Sequence, residues 1–141
     1  MKLAILAGGL ALFLTGPAFA APGPDLTLEL STRAPGGMVA VAVYRDAEAF
    51  RRGEGAVASR VVARTGAVTS VVIPGLPPGR YAVAAFHDTD GNGDLTLWPI
   101  GLPKEAYGFS RDARGQFGPP AFAAAAFELS AAGARQAFRL H

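Results

Sequence analysis

Tyr81-Ala82-Val83-Ala84-Ala85-Phe86-His87 puts Tyr81, Val83, Ala85 and His87 on one face of an extended chain and Ala82, Ala84 and Phe86 on the other, because side chains alternate sides along a strand. The preceding Pro74-Gly75-Leu76-Pro77-Pro78-Gly79 cannot continue a ladder, since proline fixes φ and has no N–H to donate. Leu76, the lone large apolar residue there, is expected to plug one end of the core. After the strand comes an acidic loop, Asp88-Thr89-Asp90-Gly91-Asn92-Gly93-Asp94, and then a short return strand from Leu95 to about Trp98.

Outward from this strand, the same period of two recurs. Leu26-Thr27-Leu28-Glu29-Leu30-Ser31 turns three leucines inward, and Met38 to Tyr44 carries Val39, Val41 and Val43 on one side against Ala40, Ala42 and Tyr44 on the other, a pattern for burial on both faces. Asp46 caps one or two helical turns ending at Gly53 and Gly55. Ser59–Arg64 and Val68–Ile73 are β-branched runs that read as a hairpin about Thr65-Gly66-Ala67. The alanines beside Phe86 suggest close sheet packing. The segment 99–120 is too rich in Gly and Pro to predict a regular element. From Phe122 to Leu129 we expect a turn of helix or irregular structure and then a strand, and Arg135 to Leu140 makes a last strand placed at a sheet edge by its arginines. About seven short strands with turns between them predict an all-β fold, an antiparallel β-sandwich.

The N-terminus is of another kind. Lys2, an apolar run from Leu3 to Leu14, Gly16-Pro17 and the small-residue pattern Ala18-Phe19-Ala20 form a secretory leader over residues 1–20. The run is well short of the ~20 apolar residues that span a bilayer, so residues 21–141 are expected as one exported domain, periplasmic or extracellular, without a transmembrane segment. There is no cysteine, so neither a lipidated N-terminal Cys nor disulfides arise, and the core or a bound ion must stabilise the fold. Thirteen Lys+Arg against eleven Asp+Glu, without a basic stripe, give no argument for nucleic acid.

Three motifs in order, GxYAVxxFHDxDxNGxL, GxPKExYGFS and FGPPxF, resemble the bacterial family catalogued as domain of unknown function 2141. The resemblance implies small exported β-sandwich proteins, and a Greek-key sandwich like transthyretin or the regulatory domains of carboxypeptidases. It brings no known reaction. Members commonly carry Asp where Thr96 stands here and often Asn-Asn where Arg111-Asp112 follows Gly-Phe-Ser.

Asp88, Asp90 and Asn92, with Gly93 behind them, fit the first half of a calcium loop, whose oxygen ligands recur at positions one, three and five with Gly at six. Asp94 at position seven would add a carbonyl and Thr96 at nine a hydroxyl or a water contact. Position twelve is Pro99, so the bidentate Glu is lacking; Glu105 would replace it by folding back, which the sequence does not show. A metal-free turn bonded to nearby N–H groups uses the same residues, and both readings stay open.

Trp98, Lys104, Glu105, Tyr107 and Phe109 form an aromatic and polar patch for a protein, glycan or small-molecule ligand, unless the rings bury against the sandwich. His87 would need Ser110 as nucleophile within hydrogen-bond reach to make a hydrolase, and no nucleophile elbow surrounds Ser110. Two histidines are too few for zinc. The reading is therefore a non-enzymatic, exported binding or structural module of the cell envelope, with calcium as the one cofactor in view. Its alternative is a hydrolase or carbohydrate-binding protein using His87 or Trp98. The leader predicts a mature N-terminus at Ala21, or at Pro22 if cleavage slips by one residue. Mass spectrometry of the exported product checks this, and a species retaining Lys2 and Leu3 refutes it.

Overall fold

The computed structural model describes residues 23–91, 105–116 and 118–141. The leader and the return strand expected at Leu95–Trp98 lie outside the described residues. The elements are β1 (Leu26–Ser31), β2 (Met38–Tyr44), α1 (Ala47–Arg52), β3 (Ala58–Ala63), β4 (Val68–Ile73), β5 (Gly79–Asp88), β6 (Tyr107–Phe109), a 3-10 turn (Ser110–Asp112), α2 (Phe122–Ala125), β7 (Phe127–Leu129) and β8 (Ala134–Arg139). No helix among the described residues is long and apolar enough to cross a membrane.

The strands form two sheets. One runs β4-β1-β8; the other runs β3-β2-β5-β6, with β7 also paired to β5. The alternation read from sequence sets the inner faces. Leu26, Leu28 and Leu30 of β1, with Val71, Ile73 and Phe138, meet Val39, Val41 and Val43 of β2 and Tyr81, Val83 and Ala85 of β5 in one core. The fourth strand lies beside the first, the returning connection of a Greek key. The ladders are antiparallel except one: β8 runs parallel to β1, with Leu30 opposite Phe138. β8 reaches that place from the other sheet through the tight turn Ser130–Gly133, where the Gly133 amide donates to the Ser130 carbonyl at 2.9 Å.

The expected hairpin between β3 and β4 does not form. β3 pairs β2 and β4 pairs β1, so residues 64–67 carry the chain from one sheet to the other. Two backbone bonds hold the crossing, Arg64 N–H to Gly37 O at 3.1 Å and Thr32 N–H to Ala67 O at 3.0 Å. The Arg64 guanidinium also donates to the Thr32 hydroxyl at 2.6 Å. Each strand keeps its apolar face on the core only by pairing with a different neighbour, since a strand's period of two names its buried face and not its partner.

β2 is buried on both faces as expected, and β5 is too; the small alanines serve the outer face rather than close packing of the two sheets. Phe50, Tyr44, Ala82 and Ala125 form a second core there, with Ala42, Ala84, Phe109 and Phe122 packed against it. The Phe50 ring sits edge-on to Tyr44, Phe109 and Phe122, with centroids 5.7, 5.7 and 5.9 Å away. Alanine floors leave the depth that these rings fill. The helix carrying Phe50 starts where the Asp46 carboxylate accepts the Ala49 amide at 2.8 Å and stops at Gly53 in the left-handed region (φ 67°).

The segment 99–120 also differs from expectation, since β6 and the 3-10 turn lie within it. β6 closes one side of the sandwich: Tyr107 N–H donates to His141 O at 3.1 Å, and His141 N–H to Tyr107 O at 2.9 Å. A Cβ on Gly108 would collide with the Arg139 carbonyl oxygen, so the seam requires a residue without a side chain. At the opposite end, Leu76 is buried in the main core as expected. Leu76→Ala is predicted to cost ~2–5 kcal/mol, the range for a buried Leu whose cavity does not collapse. Urea denaturation checks this, and an unchanged midpoint would place Leu76 outside the core.

Candidate functional site

The site is built at the end of β5. The β1–β2 turn passes beneath it so closely that a Cβ on Gly37 (φ 73°) would stand 2.7 Å from the Asp88 carbonyl oxygen and 2.9 Å from Thr89 Cα. His87, buried on the core face, donates from Nε2 to the Gly36 carbonyl at 2.6 Å. These contacts fix the base of the acidic loop before any ligand is considered. Asp88 is itself buried, 1% exposed, and its Oδ1 accepts the Gly91 amide at 2.9 Å, which folds the loop into an Asx turn.

Antiparallel pairing supplies the next group. Ala84, Ala85 and Phe86 stand opposite Phe109, Gly108 and Tyr107, and His87 N–H donates to Ala106 O at 2.8 Å. Continued by two residues, this register brings Glu105 opposite Asp88. Glu105 is 8% exposed, and its Oε1 accepts the Thr89 amide at 3.3 Å. Oxygens of Asp88, Asp90 and Glu105 all lie within 4.8 Å of one another. Ligand oxygens at ~2.4 Å from one calcium ion can be at most about 4.8 Å apart, so the three carboxylates fit a common cation. Asp90 is exposed and forms the solvent side of the group.

Of the residues singled out in the sequence, Asn92, Asp94, Trp98 and Lys104 lie outside the described residues. Glu105 leaves the aromatic patch for the acidic cluster. Phe109 packs on Phe50 at the rim of the second core, while Tyr107 stays 37% exposed, edge-on to Phe109 with centroids 5.9 Å apart. These rings wall a groove of about 450 Å³ on the outer face of the five-stranded sheet, floored by Ala40, Ala42 and Ala84.

His87 and Ser110 are each committed to backbone groups. The Ser110 hydroxyl accepts the Val83 amide at 2.9 Å and donates to the Ala125 carbonyl at 2.6 Å, with all three groups buried. Along that edge β7 bonds Gly79–Tyr81 and β6 bonds Ala84–Phe86, so Ser110 fills the gap between them. The Gly-Phe-Ser turn thereby acquires a structural reason. Arg111 and Asp112 follow with φ of 61° and 51°, a region in which Asn is several-fold enriched among non-glycine residues.

A concavity between this turn and the chain end, lined among others by Asp112, Arg114, Arg139 and His141, escaped the sequence reading. It depends on the Tyr107–His141 seam, a pairing between distant segments that no local pattern announces.

A profile of the bacterial family described as "Uncharacterized protein conserved in bacteria (DUF2141)" matches residues 31–137. No curated protein and no solved structure matches the chain.

Ser110→Ala strips a partner from two buried backbone groups, each worth about 1–3 kcal/mol when left unsatisfied. The variant is expected to lose stability in that range or above, measured by chemical denaturation. Wild-type stability would show that water takes over the bridge.

Proposed function

The chain belongs to the bacterial family of uncharacterized proteins DUF2141, and on that footing we propose that it is an exported, non-enzymatic β-sandwich module holding calcium at the end of β5. The observation that carries the metal reading is the meeting of Asp88, Asp90 and Glu105 within 4.8 Å. The third carboxylate comes from a separate segment and takes the part left open by Pro99. Like charges opposite one another on neighbouring strands repel, and a divalent cation converts that opposition into coordination. By the loop spacing of the sequence alone, Asn92 and Asp94 are the further candidate ligands.

The leader supports export, to the periplasm or beyond. A binding role draws support from the groove beside Tyr107 and Phe109, which lies on the strand that also brings in Glu105. Calcium would hold this strand and the β5 loop in one arrangement and so fix the surface offered to a protein, glycan or small-molecule ligand. The backbone engagements of His87 and Ser110 favour this reading over a hydrolase, because a nucleophile and its base need each other's lone pair and proton.

Calcium bound only by the folded form raises stability by RT ln(1 + [L]/Kd). At ~10 mM calcium and the extracellular affinity range of ~10⁻⁴–10⁻³ M, the gain is roughly 1.4–2.7 kcal/mol, an upward shift of several degrees in Tm. Asp90→Ala, at the exposed ligand, and the near-isosteric Glu105→Gln should each remove most of the shift. Magnesium should substitute poorly, since it demands a tighter octahedral shell. Identical melting of the wild type in calcium and in chelator would leave the metal-free turn as the correct reading.

A further inference from the structure

On the other side of β6 the charge has the opposite sign. A pocket of about 150 Å³ lies between β6, the turn that follows it and the end of β8, lined among others by Tyr107, Phe109, Asp112, Arg114, Arg139 and His141. Shallower grooves continue from Arg139 past Ser31 to Arg33. Among the described residues, the ion pairs are those of Arg51 and Arg52 with Glu48 and of Arg135 with Glu29. None of these pairs involves Arg33, Arg114 or Arg139, which share this region. The one acidic side chain in the wall, Asp112, has its Oδ1 on the Arg139 backbone amide at 2.9 Å.

Two features mark the pocket as a built site. Arg114 Nη2 lies 2.6 Å from His141 Nε2. A guanidinium can only donate, so that nitrogen carries a lone pair and the imidazole is neutral. Burial, followed by the charges of Arg114 and Arg139, depresses the His141 pKa, with Arg33 adding to the effect and Asp112 opposing it. The arrangement keeps an uncharged ring among three cations. The backbone supplies the second feature. Arg111 and Asp112 both take positive φ, and such conformations in residues other than glycine cluster at functional turns. Here they clasp Asp112 to β8 and carry Arg114 over the pocket.

We propose that this pocket binds the phosphate or carboxylate group of a small anionic ligand. Arg114 and Arg139 donate to its oxygens, since planar guanidinium forks match oxyanions better than a point charge does. The exposed Tyr107 ring forms a wall against which the body of the ligand lies. A phosphate monoester and a sugar carboxylate share this chemistry and differ in charge and geometry. The site is separate from the acidic cluster and does not rest on the calcium reading.

Amide chemical shifts of the full chain, followed during titration with inorganic phosphate, glucose 6-phosphate and glucuronate against sodium chloride at matched ionic strength, test this. The expected result is saturable binding of phosphate or of one of the two sugar acids. Shifts should centre on residues 107–115 and 139–141, and the better sugar acid identifies the source of the oxyanion. Arg114→Gln and Arg139→Gln should each weaken binding about tenfold or more, as loss of a charge-assisted bond implies. Arg135→Gln, at an arginine paired elsewhere, should leave it unchanged, and Arg114→Lys should fall between. Shifts that never saturate, that chloride reproduces, or that survive Arg114→Gln in a folded protein overturn the proposal.

Discussion

The amide of Val83 has no strand to bond to. β5 is ten residues long, and its outer edge is shared by two three-residue strands that leave a gap between them. Only the Ser110 hydroxyl lets the edge continue, by accepting from Val83 and passing its own proton to Ala125. With one side chain the structure satisfies a buried donor and a buried acceptor, which would otherwise weigh against folding. It also anchors the turn and the α2 segment that cover the alanine face of the sheet, so the second core depends on the same bond.

β6 is the other economical element. Three residues long, it is bonded to β5 along one edge, and through Tyr107 it is bonded to the chain end at His141. Immediately before it stands Glu105, delivered by register to Asp88. Immediately after it, the Arg111–Asp112 turn directs Arg114 toward His141. Acidic and basic groups are thereby sorted to opposite ends of one short strand. The Gly-Phe-Ser motif is explained by this geometry: Gly108 for the seam against Arg139, Phe109 for the second core and Ser110 for the gap.

The parts legible in the sequence were those governed by local period. The inward leucines of β1, both faces of β2, the alternating faces of β5, the Asp46 cap, the Leu76 plug and the strand that ends residues 122–129 all follow from spacing and capping chemistry. Partner choice was not legible. β3 and β4 are close in sequence and carry hairpin-like turn residues, yet their apolar faces are satisfied only in separate sheets, and nothing in a single strand encodes that. β6 was hidden because glycine and proline around it mask a run of three residues. At the site, the spacing of Asp88 and Asp90 was plain, whereas the arrival of Glu105 required the β5–β6 register. The Arg114–His141 pair required a seam between segments far apart in the chain.

The parallel pairing of the first and last strands has a consequence in time. β1 is the middle strand of its sheet, and one whole edge of it waits for β8, whose Arg135 meets Glu29 across 106 residues of chain. Closing such a loop costs entropy before any contact repays it, and topologies dominated by distant pairings fold on the order of milliseconds to seconds. A chain emerging from its N-terminus therefore has no means of finishing this sheet until β8 is present. Until then the edge of β1 that β8 covers stays unpaired, and such an edge is a template for pairing with other chains.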